Sequence, residues 1–181
     1  LFDFPAGVHV HVSSVDVYSC LESSARTVES EAIVDEPSNY GFHKRLEERL
    51  VHRYASDWLV VRLAGMVGPG LKKNPVFDIM NGYPLRVHPE SRFQFMSTDV
   101  AARIACELVS RGVRKEAVNV CGLGLVSPLE ISNMVGRPLD LSQLPSNSGP
   151  RIVDANIDKL CSMNGMDIPN SEDAVRAFLG V

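Results

Sequence analysis

The chain has 181 residues, of which 45% are hydrophobic and 22% charged, and its formal net charge is −4. These values are ordinary for a folded domain with its own core, and the mild acidity gives no reason to expect a nucleic-acid partner. No apolar run approaches the roughly 20 residues that a membrane-spanning helix requires, so no membrane association is expected. The four cysteines match neither a zinc-binding spacing nor a redox pair, which favours free thiols and a cytoplasmic location.

Hydrophobic periodicity and capping residues predict alternating strands and helices along the chain. The first half reads as a strand over 8–14, a loop over 19–37, a helix from Ser38 or Asn39 to about Tyr54, a strand over 58–63, a glycine-rich loop over 65–70 and a short helix over 74–80. The second half reads as short strands over 85–88 and 92–96, a helix over 100–110, a strand over 117–121, a helix from 127–128, a connector over 137–152 and two short helices near 154–163 and 171–179. This order predicts an α/β fold with parallel strand pairing.

Residues 8–14 place valines on one strand face and His9, His11 and Ser13 on the other. The two histidines could in principle bind a metal, but no neighbouring carboxylate or cysteine completes a ligand set. We therefore expect no metal site.

Tyr40 and Lys44 are four residues apart near the start of a predicted helix, so both side chains share one face. An ammonium near a phenol favours the phenolate and lowers its pKa, which makes the pair a candidate general acid/base. The alternative is a surface tyrosine beside a solvated lysine. Ser14 favours the catalytic reading, because it ends a strand where α/β folds place ligands and could orient a substrate oxygen towards Tyr40.

The sequence resembles the extended short-chain dehydrogenase/reductases, also called the NAD-dependent epimerase/dehydratase family. The resemblance covers roughly residues 8–135 and rests on five blocks in family order, namely 12–18, 37–44 with Glu48, 61–70, 93–101 and 118–122. It implies a partial Rossmann-type parallel sheet with a small substrate-binding lobe. Residues 1–70 and 97–125 would form the remainder of the core, and residues 71–96 and 126–181 the lobe.

The resemblance also implies roles for individual residues. Ser14 matches the catalytic Ser/Thr, Tyr40 the acid/base, and Lys44 the lysine that also binds the nicotinamide ribose. Arg86 and Arg92 lie where family members often contact a nucleotide-sugar phosphate. The segment Ser97-Thr98-Asp99 is expected to cap the following helix, and Asp99 is expected to act as a cap rather than in the chemistry. The nicotinamide side of the pocket would be formed by Leu63, Ala64 and Met66.

One departure from the family decides what we expect of this chain. Members begin with a strand and a Gly-x-x-Gly-x-x-Gly turn that hold the cofactor pyrophosphate, and this sequence contains no such turn. On the resemblance, residue 8 falls near the fifth strand, and the chain does not begin with Met. We therefore expect a truncated single domain over 1–181, without useful affinity for NAD or NADP and inactive alone.

The truncation would leave the first strand as an unpaired apolar edge, which favours a homodimer. Two function classes stay open. The parent protein is an epimerase, dehydratase or reductase that acts on a nucleotide-sugar, or the chain is a non-catalytic binding or assembly module that retains the fold. Substrate identity, the choice of NAD or NADP and the reaction subtype are not determined by the sequence.

Overall fold

The computed structural model describes residues 7–30, 38–163, 165 and 167–181. Parts of the predicted loop over 19–37 lie outside these residues. In chain order the elements are β1 (His9–Ser14), α1 (Asn39–Tyr54), β2 (Trp58–Leu63), β3 (Gly65–Val67), α2 (Pro75–Asn81), β4 (Arg92–Phe93), β5 (Phe95–Ser97), α3 (Thr98–Ser110), β6 (Glu116–Val120), α4 (Pro128–Val135), β7 (Ile152–Val153), α5 (Asp158–Cys161) and α6 (Ser171–Leu179).

The main sheet is parallel, with strand order β1-β2-β6. Strand β2 is central and its middle four residues are buried, as expected of a strand covered on both faces. Within the described residues β1 pairs with β2 alone, so it is an edge strand. On β1 the two valines Val10 and Val12 are 37% and 54% exposed, and the opposite face lies against α1. The predicted α/β class with parallel pairing is confirmed.

Helix α1 begins and ends as the sequence predicts. The Ser38 hydroxyl accepts a hydrogen bond from the Gly41 amide at 3.2 Å, which satisfies one of the free donors of the first turn. Its buried residues are Gly41, Glu48 and Val51. Only one large apolar side chain therefore anchors the helix in the interior.

The second part of the chain differs in detail from the predicted elements. The predicted strand over 85–88 is absent from this described segment, where Leu85 is buried and donates its amide to the Asp140 carbonyl at 2.7 Å. The predicted loop over 65–70 begins as β3, which pairs in parallel with β5. Strand β4, the other half of the segment predicted as one strand over 92–96, pairs in parallel with β7. The predicted strand over 92–96 is divided because Gln94 leaves the ladder and its side-chain amide makes two hydrogen bonds with the backbone of Ala155.

Two further helices show how local chemistry sets their ends. The predicted cap of α3 lies within residues 97–99, and the structure places it at Ser97, whose hydroxyl accepts from the Val100 amide, while Asp99 lies in the first turn. The capping box of α4 joins Ser127 and Glu130. Ile104 and Leu108, four residues apart on α3, are buried in the core between α3 and the main sheet.

A second apolar cluster joins α2, α4 and α6 to β5. Within the described residues, no helix has the length and apolar character needed to cross a bilayer. All four cysteines are free thiols.

Candidate functional site

A cleft of about 880 Å³ opens at the carboxyl ends of β1 and β2, where parallel sheets place their ligands. The volume suits a small organic ligand. Its wall is formed by residues from the end of the main sheet, the start of α1, the loop before α2 and strands β4, β5 and β7, with neighbouring residues. These are Ser14, Val15, Asp16, Tyr40, residues 63–75, Phe93, Phe95, Thr98, Arg151 and Val153.

Ser14 is the last residue of β1 and is 8% exposed. Its hydroxyl caps the 3₁₀ turn over residues 15–17, since it accepts from the Asp16 amide at 3.1 Å and lies 3.3 Å from an Asp16 carboxylate oxygen. The serine hydroxyl therefore faces the cleft next to a carboxylate. It can donate to a ligand oxygen if it leaves Asp16.

Tyr40 lies in the first turn of α1, lines the cleft and is 52% exposed. Lys44 lies one turn further along the helix, and its ammonium donates to the Glu47 carboxylate at 2.8 Å and to the Val12 carbonyl at 3.3 Å. The structure thus brings Ser14 and Tyr40 to one cleft and holds Lys44 against β1. Lys44 is not among the described residues that line the cleft.

The predicted cofactor-contacting residues Leu63, Ala64 and Met66 all line the cleft. They form an apolar part of its wall. The glycine-rich loop over 65–70 also lines the cleft, and at Gly68 a side chain would meet the Thr98 hydroxyl.

The two arginines expected at a substrate phosphate point elsewhere. Arg86 donates to the Gln143 amide oxygen, and Arg92 donates to the Leu125 carbonyl. Neither is among the described cleft residues. The cleft instead receives Arg151, which pairs with Asp16.

Neither Arg151 nor Asp16 is among the site residues that the sequence predicts. Arg151 lies in a segment that reads only as a Pro-, Ser- and Gly-rich connector, 135 residues from its partner. Lys72 and Lys73 also line the cleft, so three cations accompany one carboxylate there. No spacing in the sequence indicates that Asp16, the two lysines and Arg151 line one cleft.

His11 is held between β1 and α1. Its Nε2 atom has no hydrogen-bond partner and lies 3.5 Å from a Glu47 carboxylate oxygen. Burial lowers the pKa of His11, although the Glu47 carboxylate opposes the shift. Among the residues that the structure describes, no group of three or more His, Cys, Asp or Glu side chains could hold a metal ion.

Comparison with solved structures identifies proteins of the same fold. The dTDP-glucose 4,6-dehydratase from Bacillus anthracis, solved with NAD, has 16% sequence identity and a TM-score of 0.76, and the match covers 94% of this chain and 60% of that one. The UDP-glucuronic acid 4-epimerase from Bacillus cereus, solved with UDP-glucuronic acid and NAD, has 18% identity and a TM-score of 0.78, with coverage of 98% and 62%. A dTDP-4-dehydrorhamnose reductase from Clostridium acetobutylicum has 17% identity and a TM-score of 0.73, with coverage of 94% and 64%.

No protein-family model matches the sequence, and no curated protein matches it. The structural neighbours include a dehydratase, an epimerase and a reductase at similar scores, so the fold does not separate these reactions. The chain spans about 60% of the length of the solved structures named above. It has a partial Rossmann-type α/β fold, like that of NAD-dependent sugar-nucleotide epimerases and dehydratases.

Proposed function

We propose that this chain is part of an NAD(P)-dependent epimerase, dehydratase or reductase that acts on a nucleotide-sugar. The observation that carries the proposal is the cleft at the carboxyl ends of β1 and β2, because it joins a hydroxyl and a phenol from distant segments, Ser14 and Tyr40. A fold alone does not define an activity. The chemistry of these two groups is the reason to prefer proton transfer at a substrate oxygen.

In the proposed mechanism the Ser14 hydroxyl orients the reacting oxygen of the sugar, and the Tyr40 hydroxyl gives or takes its proton. Lys44, one turn along α1, stabilises the phenolate electrostatically. In the present structure its ammonium binds Glu47 and Val12. We propose that a bound ligand draws the Lys44 ammonium away from Glu47. The Glu47 carboxylate would then remain beside His11.

The charge of the cleft supports an anionic ligand. Of the charged residues that the structure describes at its wall, Lys72, Lys73 and Arg151 are cationic and Asp16 alone is a carboxylate. Guanidinium and ammonium groups suit the diphosphate of a nucleotide-sugar. The division of the chain is proposed from the family resemblance, with residues 1–70 and 97–125 as core and residues 71–96 and 126–181 as the substrate-binding lobe.

The binding test is titration of the chain with UDP-glucuronic acid, the ligand of one structural neighbour. Arg151→Gln and Tyr40→Phe are expected to weaken binding, because each removes a group that faces the cleft. Arg103→Gln is the matched control, since it removes an exposed arginine of α3 outside the cleft. Absence of saturable binding to the parent chain would remove the proposed ligand class.

We further propose that the chain alone has no useful affinity for NAD(P) and no turnover, because the pyrophosphate cradle is missing from its sequence. Calorimetric titration with NADH and NADPH tests this directly, and low-micromolar binding would overturn it. The alternative is a non-catalytic binding or assembly module, favoured by the same missing turn. A Gly-x-x-Gly-x-x-Gly motif encoded within roughly 90 residues upstream of Leu1 supports the enzyme, and a start codon near Leu1 supports the module.

A homodimer is proposed on two exposed apolar surfaces. On α1, four side chains at successive i, i+4 positions are 40–63% exposed: Phe42, Leu46, Leu50 and Tyr54. On β1, Val10 and Val12 are exposed beside an edge that pairs on one side only in the described chain. A second copy of the chain would cover these surfaces.

Light scattering at micromolar concentration tests the dimer. Leu50→Glu is expected to give monomers, whereas Leu129→Glu on the exposed face of α4 is expected to leave the dimer intact. A parent chain that is monomeric at this concentration would end the proposal.

A further inference from the structure

A buried ion pair connects α1 to the main sheet. Glu48 of α1 and Arg62 of β2 are 3% and 5% exposed. The guanidinium donates from Nε to one carboxylate oxygen at 3.0 Å and from Nη2 to the other at 2.8 Å. The first of these oxygens also accepts from the Ser13 hydroxyl of β1 at 2.5 Å. One carboxylate therefore links a helix to two strands.

The same network continues to the third strand of the sheet. The remaining guanidinium nitrogen of Arg62 donates to the Tyr18 hydroxyl at 2.8 Å, and Tyr18 in turn donates to Asn119 of β6 at 2.9 Å. Burial alone would lower the pKa of Arg62, but the hydrogen bonds and charge of Glu48 raise it above its ordinary value. All three guanidinium nitrogens are thus used within the protein interior.

Such a pair is a costly way to stabilise a core. Removing two charges from water carries a large penalty, and replacing a buried pair by apolar residues of similar volume is often neutral or stabilising. Stability alone does not explain the arrangement. The geometry that it imposes is the better explanation.

Helix α1 has a particular need for such a constraint. Among its buried residues only Val51 offers a large apolar side chain, and its apolar stripe faces outward. Apolar packing therefore does little to fix how the helix lies on the sheet. The buried polar contacts of Glu48 with Ser13 and Arg62 supply this constraint, together with the exposed contact of Lys44 with the Val12 carbonyl.

We propose that Glu48 and Arg62 are positioning residues that hold α1, and with it Tyr40, in one orientation against the end of β1 at Ser14. Tyr40 precedes Glu48 by eight residues, about 12 Å along a continuous helix, so a rotation at the ion pair displaces the phenol. On the strand, the Ser13 anchor is adjacent to Ser14. The catalytic role of Tyr40 and Ser14 rests on the proposed function, but their relative placement can be measured without it.

The test uses fluorine NMR of the chain labelled with 3-fluorotyrosine, in which the Tyr40 resonance is assigned from Tyr40→Phe. The double variant Glu48→Leu/Arg62→Met removes both charges together. We expect its melting temperature to stay within about 4 °C of the parent, while the Tyr40 resonance shifts and broadens. The matched control removes the exposed pair on α6, Glu172→Leu/Arg176→Met, and leaves the Tyr40 resonance unchanged.

An unchanged Tyr40 resonance in the folded double variant would overturn the proposal. If this variant does not fold, Ser13→Ala replaces it, since it deletes only the link from β1 to Glu48. The same shift and broadening are expected, and a spectrum identical to that of the parent overturns the proposal. Adding UDP-glucuronic acid to the parent sample tests the proposed function separately. No response of Tyr40 counts against the ligand class, whereas the ligand-free spectra still decide the positioning role.

Discussion

Gly122 follows β6 at a point where three segments meet, and it is the position where the smallest added group should do most damage. A methyl group there would lie 2.1 Å from the Phe95 carbonyl oxygen and 2.9 Å from the Ser171 hydroxyl. Ordinary van der Waals contacts of such a group begin at 3.4 Å. The Phe95 backbone cannot easily withdraw, because Phe95 belongs to β5 and its amide donates to the Ser171 hydroxyl at 3.0 Å. Gly122→Ala must therefore separate the end of β6 from β5 and α6.

The expected cost is at the upper end of the range for overpacked cores, about 3 kcal/mol. About 1 kcal/mol lowers the melting temperature by about 2–4 °C in a domain of this size, so the expected decrease is about 6–12 °C. Thermal unfolding followed by circular dichroism measures it. Gly149→Ala is the matched control, because nothing lies within 4 Å of the added group and its backbone needs no glycine. A Gly122→Ala chain that melts within about 2 °C of the control would refute the argument.

Three further predictions concern single side chains. Ser127→Ala removes the N-cap of α4 and should lower the free energy of unfolding in urea by about 1 kcal/mol; an unchanged value would contradict the capping role. Burial lowers the pKa of His11 below its ordinary value of 6.5, so the unfolded chain binds a proton there more readily, and stability falls as the pH decreases through 6.5 towards the folded pKa. His11→Gln should reduce the fall in melting temperature between about pH 7.5 and 5.5, whereas the control His43→Gln, on the exposed side of α1, should retain it; equal pH dependence in both variants would count against this cause. Burial raises the pKa of the Cys121 thiol to about 12, so iodoacetamide should label it only after unfolding. Peptide mapping that finds it labelled as fast as the exposed thiols would show that the site is open.

The elements with strong local signals were predictable from the sequence. Helix α1 has Ser38 as its cap and ends at Tyr54 as predicted, and β2 has the predicted bounds. In both cases neighbouring residues decide the outcome. The strand predicted over 85–88 is wrong, because the backbone of Leu85 finds its partner at Asp140, far along the chain.

The candidate site was predictable only in part. The strand end and the helix start that carry Ser14 and Tyr40 are local features, and the structure brings both to one cleft. The position of Arg151 in the cleft was not predictable, because no sequence pattern in its connector indicates which residues it will contact. The pairing of Arg151 with Asp16 depends on how the C-terminal segment returns to the end of β1.

By itself the sequence determined the elements with strong local signals, such as α1 and β2, the α/β class, and the hydroxyl, phenol and amine that favour proton transfer. These follow from side-chain periodicity, caps and residue chemistry, which act over a few residues. The tertiary structure alone decided that Lys44 binds Glu47 and Val12, that Glu48 binds Arg62 in the interior, and that Gly122 leaves no room for a side chain. These contacts join residues through packing and strand order, and short-range sequence patterns carry no information about which distant segments will meet.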